Sequence, residues 1–196
     1  MNYLALRERP AQFLALTSLL PAEFDELLTD FAPRWERYHR FHTLDGDRRR
    51  FPVHQERANA TLAGTDTKLF FLLVYLKTNA LQQHQAASFG VSQTRVSRLA
   101  GPLLSVLNQT LAARHLLPVR DGAQLAQRLA AHPDKVFTCD GVERGIKRLR
   151  MIRDTLRLRG DWFRDTVMLV ACGLHNLRDA APTGPASCGA HANLDK

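Results

Sequence analysis

The residues that could carry out chemistry lie in the stretch VFTCDGVERGIKRLR, at 136–150. The run at 135–141 is the one convincing strand predicted from this chain, and it ends by delivering a carboxylate, Asp140. A pair of catalytic metal ions needs several carboxylates. The next acid is Glu143, and a strongly basic helix is predicted to begin beside it. The chain therefore leaves almost nothing between strand and helix from which to build a site.

The helix predicted from Arg144 onward is rich in cations. Eight arginines and lysines but only two acids occur at 144–164. Its apolar residues fall on one face and leave Lys147, Arg148 and Arg150 on the rest. These side chains could contact DNA phosphates without reading sequence, or they could form a solvated face, and the pattern favours neither. Its apolar stripe needs a partner, for which the stripe at 163–174 is a candidate.

The stretch LQQHQAASFGVSQTRVSRLA, at 81–100, has the spacing of a helix-turn-helix. Gly90 can take the positive φ that the tight turn requires, and Ser92 is a good N-cap for the second helix. The residues predicted to contact DNA from that helix, at base edges and phosphates of a major groove, are Gln93, Thr94, Arg95, Ser97 and Arg98. A plain helical hairpin would show a similar pattern, but the basic character of the chain favours DNA.

Further helices are predicted on both sides of this motif. The segment 21–31 has apolar residues at i, i+3, i+4 and i+7, and Pro33 is expected to end or kink that helix. The segment 66–78 is apolar nearly all round, which is typical of a buried helix. The long helix that follows the motif is expected to be interrupted or bent near Gly101 and Pro102.

The composition limits the class of protein. A chain of 196 residues with 45% hydrophobic content can bury a core, and its net charge of +8 favours an anionic partner. Three widely spaced cysteines argue against a disulfide framework and a structural zinc site. No apolar run approaches the roughly 20 residues that span a bilayer. We therefore expect a cytoplasmic, nucleoid-associated protein with no membrane partner.

Three stretches together resemble one protein family. The sequence at 69–111, from LFFLLVYLKT to LNQTL, resembles the N-terminal helix-turn-helix region of bacterial insertion-sequence transposases of the DDE superfamily, which are related to Harbinger elements. VFTCDGVER is similar to the family's first catalytic segment, where an aspartate ends the first strand of an RNase H-like sheet. ACGLHNLR, at 171–178, is similar to the closing helices. The resemblance implies DNA transposition, with recognition of element ends and metal-dependent strand cleavage and transfer.

The chain departs from this family in the middle of the catalytic domain. Well over half of that domain, including the second aspartate, normally lies between the two stretches that are joined here near Glu143. The resemblance implies that Asp140 is the first catalytic carboxylate and metal ligand. It makes Glu143 either the glutamate that follows this aspartate or the third catalytic acid. Because nothing matches the second aspartate, we expect no cofactor in this chain as it stands, and Mg²⁺ only if the site is completed.

The sequence therefore predicts a mainly α-helical protein with a helix-turn-helix, followed by a truncated RNase H-like remnant of one strand plus closing helices. The predicted parts are an N-terminal helical region with a basic linker at 1–62, the DNA-binding region at 63–118, the remnant at 119–180 and a disordered tail at 181–196. Expected partners are double-stranded DNA at element ends and a full-length transposase or a second copy. The expected function is DNA binding without catalysis; the alternatives are an active DDE transposase completed by a partner chain and a co-opted DNA-binding regulator.

Overall fold

The computed structural model describes residues 1–53, 61–119, 121–131 and 161–180. Within these ranges the chain is mainly helical, as predicted, and the only strand-like pairing is an isolated antiparallel bridge between His42 and Arg48. The helices are α1 (Tyr3–Arg7), α2 (Pro10–Thr17), α3 (Pro21–Phe41), α4 (Thr65–Thr78), α5 (Gln82–Phe89), α6 (Gln93–Ala113), α7 (Gly122–Ala131) and α8 (Asp161–Ala180). The predicted strand at 135–141, the basic helix from Arg144 and the tail at 181–196 lie outside the described residues.

Helix α4 occupies the centre of the core. All nine residues at 68–76 are buried, which confirms the helix predicted from its all-round apolar pattern. The series includes Lys68, whose side chain is 1% exposed. Its ammonium donates hydrogen bonds to the carbonyl oxygens of Leu62 at 2.8 Å and Gly64 at 3.2 Å. The buried charge therefore fixes the segment that leads into the helix-turn-helix.

Helices α1, α2 and α3 cover one side of α4 through aromatic contacts. The ring of Phe13 in α2 meets Phe24 of α3 edge-on at 5.3 Å and stacks on Phe70 of α4 at 5.5 Å. Tyr3 of α1 lies 5.7 Å from the same Phe70 ring. Each such pair contributes roughly 0.5–1.5 kcal/mol beyond the area it buries. The N-terminal helices and the helix-turn-helix consequently share one hydrophobic core.

Two prolines do not end the helices in which they lie. Helix α3 continues through Pro33 to Phe41, and α6 continues through Pro102 to Ala113, so an end at Pro33 and an interruption near Pro102 are wrong, and a kink and a bend are the alternatives that stay predictions. A proline removes the hydrogen bond to the carbonyl four residues earlier. In α3 this residue, Thr29, is exposed, as is Pro33 itself. Packing before and after each proline maintains the helix, because the buried residues of α3 and α6 continue on both sides.

Helix α8 packs along α6. The predicted apolar stripe of α8 is buried at Val167, Val170, Ala171 and Leu174, and α6 is its main neighbour among the described helices. A Cβ atom on Gly173 would lie 2.9 Å from Cδ1 and 3.2 Å from Cβ of Leu111. The absence of a side chain at Gly173 therefore allows the two helices to approach closely.

Two glycine substitutions test this close approach. At the start of α7 a Cβ atom on Gly122 would meet nothing within 4 Å, so Gly122→Ala should raise the free energy of unfolding by about 0.4–1 kcal/mol, because alanine reduces the entropy of the unfolded chain. The same change at Gly173 should overpack the α6–α8 contact at a cost of roughly 1–3 kcal/mol. Urea denaturation of both variants should therefore rank Gly122→Ala above the wild type and Gly173→Ala below it. Equal stabilisation by both changes would contradict the close approach.

Candidate nucleic-acid interface

The turn between α5 and α6 has the geometry that the sequence predicted. Gly90 ends α5 in the left-handed region, at φ +65°, and the amide of Val91 donates to the carbonyl of Ala86 at 3.0 Å. The hydroxyl of Ser92 then caps α6 by accepting a hydrogen bond from the amide of Arg95 at 3.3 Å. A side chain on residue 90 would be strained at this φ, so glycine suits the position.

Buried residues hold the two helices together and attach them to α4. Ala86 and Phe89 of α5 are buried, as are Val96 and Leu99 of α6. The Phe89 ring meets the Phe71 ring of α4 edge-on at 5.0 Å. The buried side-chain amide of Gln85 donates a hydrogen bond from Nε2 to the backbone carbonyl oxygen of Phe71 at 3.0 Å. These contacts fix the orientation of α6 with one face outward, which is what a recognition helix requires.

The outward face of α6 carries most of the residues predicted to contact DNA. Gln93, Thr94, Ser97 and Arg98 are exposed. Arg95 is half-buried, and its Nε atom is buried without a hydrogen-bond partner in the part of the chain that the structure describes. The exposed groups include hydrogen-bond donors and acceptors, which suits both base edges and phosphate oxygens.

A tight turn outside the helix-turn-helix also reaches this face, which the sequence did not predict. The turn closes because the Thr43 amide donates to the carbonyl of Asp47 at 2.8 Å, with Gly46 at φ +92°. At its tip, the Asp45 carboxylate accepts two hydrogen bonds from the Arg98 guanidinium, from Nε at 2.8 Å and from a terminal nitrogen. Both side chains remain about half exposed, Asp45 at 52% and Arg98 at 49%. Asp45 raises the pKa of Arg98 through the hydrogen bond and its charge.

Arg49 attaches this turn to the end of α3. Its side-chain Nε donates to the carbonyls of His42 at 2.8 Å and His39 at 3.2 Å, and its amide donates to the carbonyl of Phe41 at 2.7 Å. The last carbonyls of a helix lack partners within the helix, so Arg49 satisfies groups that would otherwise face water. The turn residues of LDGD, at 44–47, signal a turn in the sequence, but nothing local indicates its partner on α6.

The remaining predicted site residues lie outside the described residues. They are Asp140 and Glu143, predicted as catalytic, and Lys147, Arg148 and Arg150, predicted to contact DNA. Among the residues that the structure describes, no group of three or more His, Cys, Asp or Glu side chains could hold a metal ion. The structure therefore places the helix-turn-helix part of the predicted site and not its catalytic part. None of the helices in the described ranges is long and apolar enough to cross a membrane.

Two helices joined through a left-handed glycine and a serine cap, with the second helix exposing a polar face, define a helix-turn-helix. Residues 61–113 match the family model described as the helix-turn-helix of DDE superfamily endonuclease. The matched range contains α4, α5 and α6 entirely. This part of the chain is thus similar to the DNA-binding region of a transposase-related class of endonucleases. No curated protein and no solved structure matches the chain.

Replacing Asp45 tests whether its contact with Arg98 limits DNA binding. Asp45→Asn releases the guanidinium for one more phosphate contact, which should steepen the slope of log K against log salt by about 0.9 and tighten binding roughly tenfold near 50 mM salt. Fluorescence anisotropy on a labelled duplex measures both quantities. Asp47→Asn is the matched control, because Asp47 is an exposed carboxylate of the same turn. If both variants change the slope equally, the Arg98 contact has no specific role.

Proposed function

We propose that this chain is a transposase-family DNA-binding protein that recognises double-stranded DNA at the ends of a bacterial insertion sequence related to Harbinger elements. The recognition helix is the first half of α6, and its base-reading residues are drawn from Gln93, Thr94, Arg95, Ser97 and Arg98. The single observation that carries this proposal is the geometry of the turn at 90–92, which presents an exposed polar face within the range that matches the DDE-type helix-turn-helix.

The electrostatics of the whole chain support the same proposal. Its net charge of +8 favours association with a polyanion, and release of counterions from the duplex rewards each phosphate contact. Lys147, Arg148 and Arg150 would add sequence-independent contacts to phosphate in this proposal. The side chains on α6 would then supply the preference for one sequence over another.

We infer further that the chain binds without cutting. The proposal rests on the sequence, in which the segment around Asp140 and Glu143 joins directly to the closing stretch and no residue matches the family's second aspartate. With too few carboxylates, two metal ions cannot be held about 4 Å apart, and such ion pairs activate the attacking oxygen and stabilise the leaving oxygen. The segment at 119–180 would then be the remnant of an RNase H-like domain.

Two other functions remain open to test. A partner chain, either a full-length transposase or a second copy, could supply the missing carboxylates and complete a Mg²⁺ site with Asp140. Alternatively, the chain could act as a co-opted regulator that competes with a full-length transposase for the same DNA ends. The first alternative requires metal-dependent cleavage, whereas the second requires specific binding alone.

Selection from a random duplex library should yield a preferred sequence, and alanine substitutions should show which side chains read it. Gln93→Ala and Arg95→Ala should each weaken binding to the selected duplex by about 1–3 kcal/mol if that side chain contacts a base. Their affinity for a scrambled duplex should change much less. Gln12→Ala is the matched control, since Gln12 is an exposed glutamine on α2. Equal affinity of the wild type for selected and scrambled duplexes would rule out specific recognition.

A nicking assay tests the catalytic part of the proposal. A supercoiled plasmid that carries the selected sequence should show no more nicking with the wild type and Mg²⁺ than with the wild type and a chelator, because the carboxylates do not suffice for two metals. Asp140→Ala should leave this background unchanged. Magnesium-dependent nicking that Asp140→Ala abolishes would instead establish an active enzyme.

A further inference from the structure

A hollow lined by arginines lies beside the recognition helix. It has a volume of about 710 Å³ and lies between the second half of α3, the turn at 42–48 and the C-terminal third of α6. Its polar lining consists of Arg34, Arg37, Tyr38, His42, Arg48 and Gln109. We propose that this arginine hollow binds backbone phosphate of the same duplex that α6 reads, an inference that rests on the proposed DNA-binding function.

The charges of the hollow favour an anion. Three guanidinium groups line it, and no carboxylate is among its described lining residues. Arg34 is held in place, because its Nη1 donates to the backbone carbonyl of Asp30 at 2.7 Å. Arg37 and Arg48 are exposed, and within the described residues neither has a carboxylate within 4 Å. Guanidinium groups donate hydrogen bonds in a geometry that matches phosphate oxygens.

Other arginines of the described chain form ion pairs with carboxylates. Arg7 forms an ion pair with Asp25, Arg98 pairs with Asp45, and Arg114 pairs with Glu26 and Asp30. The carboxylate of Asp30 lies 3.7 Å from a guanidinium nitrogen of Arg114. The backbone carbonyl oxygen of Asp30 accepts the hydrogen bond from Arg34. Arg37 and Arg48 therefore differ from Arg7, Arg98 and Arg114, because no ion pair balances their charge within the described residues.

One wall of the hollow contains a buried polar atom that lacks a partner. His42 Nδ1 is buried and makes no hydrogen bond in the part of the chain that the structure describes. The His42 ring stacks on the Tyr38 ring at 4.9 Å, and Tyr38 is itself stacked on Trp35 at 5.8 Å. The imidazole is thus held rigidly at the edge of the hollow.

The position of the hollow relative to α6 suits a phosphate at the edge of a groove. Gln109 follows Arg98 by eleven residues, which is close to three helical turns, so both side chains project from the same face of α6. The separation along the helix axis is about 16 Å, whereas the major groove is roughly 12 Å wide. A helix whose first turns lie in the groove would therefore bring its C-terminal third, with the hollow, to the flanking sugar–phosphate backbone.

Salt titrations of matched arginine variants test the hollow. The probe is a short fluorescein-labelled duplex of random sequence, measured by anisotropy between about 50 and 200 mM salt. Arg37→Gln and Arg48→Gln should each reduce the slope of log K against log salt by about 0.9. Each should also weaken binding to the selected and random duplexes by the same factor. Arg9→Gln, an exposed arginine at the N-cap of α2, is the control and should leave the slope unchanged.

The outcomes separate this inference from the proposed function. If Arg37→Gln and Arg48→Gln behave like Arg9→Gln while Gln93→Ala still removes sequence preference, the hollow does not bind the duplex and the helix-turn-helix does. A wild type that binds neither the selected nor the random duplex overturns both. Saturable binding of inorganic phosphate that Arg48→Gln removes, with an unchanged duplex slope, would assign the hollow to a free anion and overturn the inference.

A set of duplexes that each carry one neutral methylphosphonate linkage locates the contact. At the contacted linkage, removing the phosphate charge should weaken binding by the wild type and leave binding by Arg48→Gln unaffected, because the partner is already missing. If every methylphosphonate weakens binding by the wild type and by Arg48→Gln to the same extent, Arg48 contacts none of these phosphates. That result would overturn the inference. Circular dichroism of the variants checks that their helix content is unchanged.

Discussion

The burial of α4 on all sides is the constraint on which the rest of the structure depends. Each large apolar side chain of α4 that leaves water contributes roughly 1.5–3 kcal/mol, whereas an exposed ion pair contributes about 0–1 kcal/mol. Packing around α4 therefore decides the arrangement, and the surface charges adapt to it. One side of α4 is covered by α2 and α3. The helix-turn-helix covers another side, where Gln85 and Phe89 of α5 contact Phe71 of α4. Helix α6 consequently obtains its orientation from a core that includes the N-terminal helices.

The features predicted correctly from sequence are those set by neighbouring residues. The positive φ of Gly90 follows from steric freedom at one residue, and the Ser92 cap follows from a hydroxyl three residues before the amide that it binds. From a local rule, Pro33 was expected to end or kink its helix, and the long helix was expected to be interrupted or bent near Pro102. Both helices continue, because buried contacts on both sides of each proline outweigh one missing hydrogen bond.

The features missed by sequence reasoning join distant segments. Asp45 and Arg98 are separated by 53 residues, and no local pattern indicates that a turn after α3 meets the outward face of α6. The apolar stripe of α8 was predicted correctly, but sequence reasoning did not indicate α6, which it packs against in the described structure. Periodicity specifies that a face must be buried. It does not specify which of several apolar faces will cover it, because that depends on shape, as at Gly173.

The distribution of charge along α3 connects the stable core with the surface proposed to meet DNA. The acids of its first half bind arginines from elsewhere in the chain: Asp25 with Arg7, Glu26 and Asp30 with Arg114, and Glu23 with Arg178. The second half carries Arg34 and Arg37 and ends beside Arg48. This order agrees with the helix dipole, which favours anions near the N-terminus and cations near the C-terminus. The acids are thus neutralised within the protein, while cations of the second half keep their charge. The second half holds three arginines against one acid, Glu36, so a duplex that approaches α6 beside it meets a surface of net positive charge.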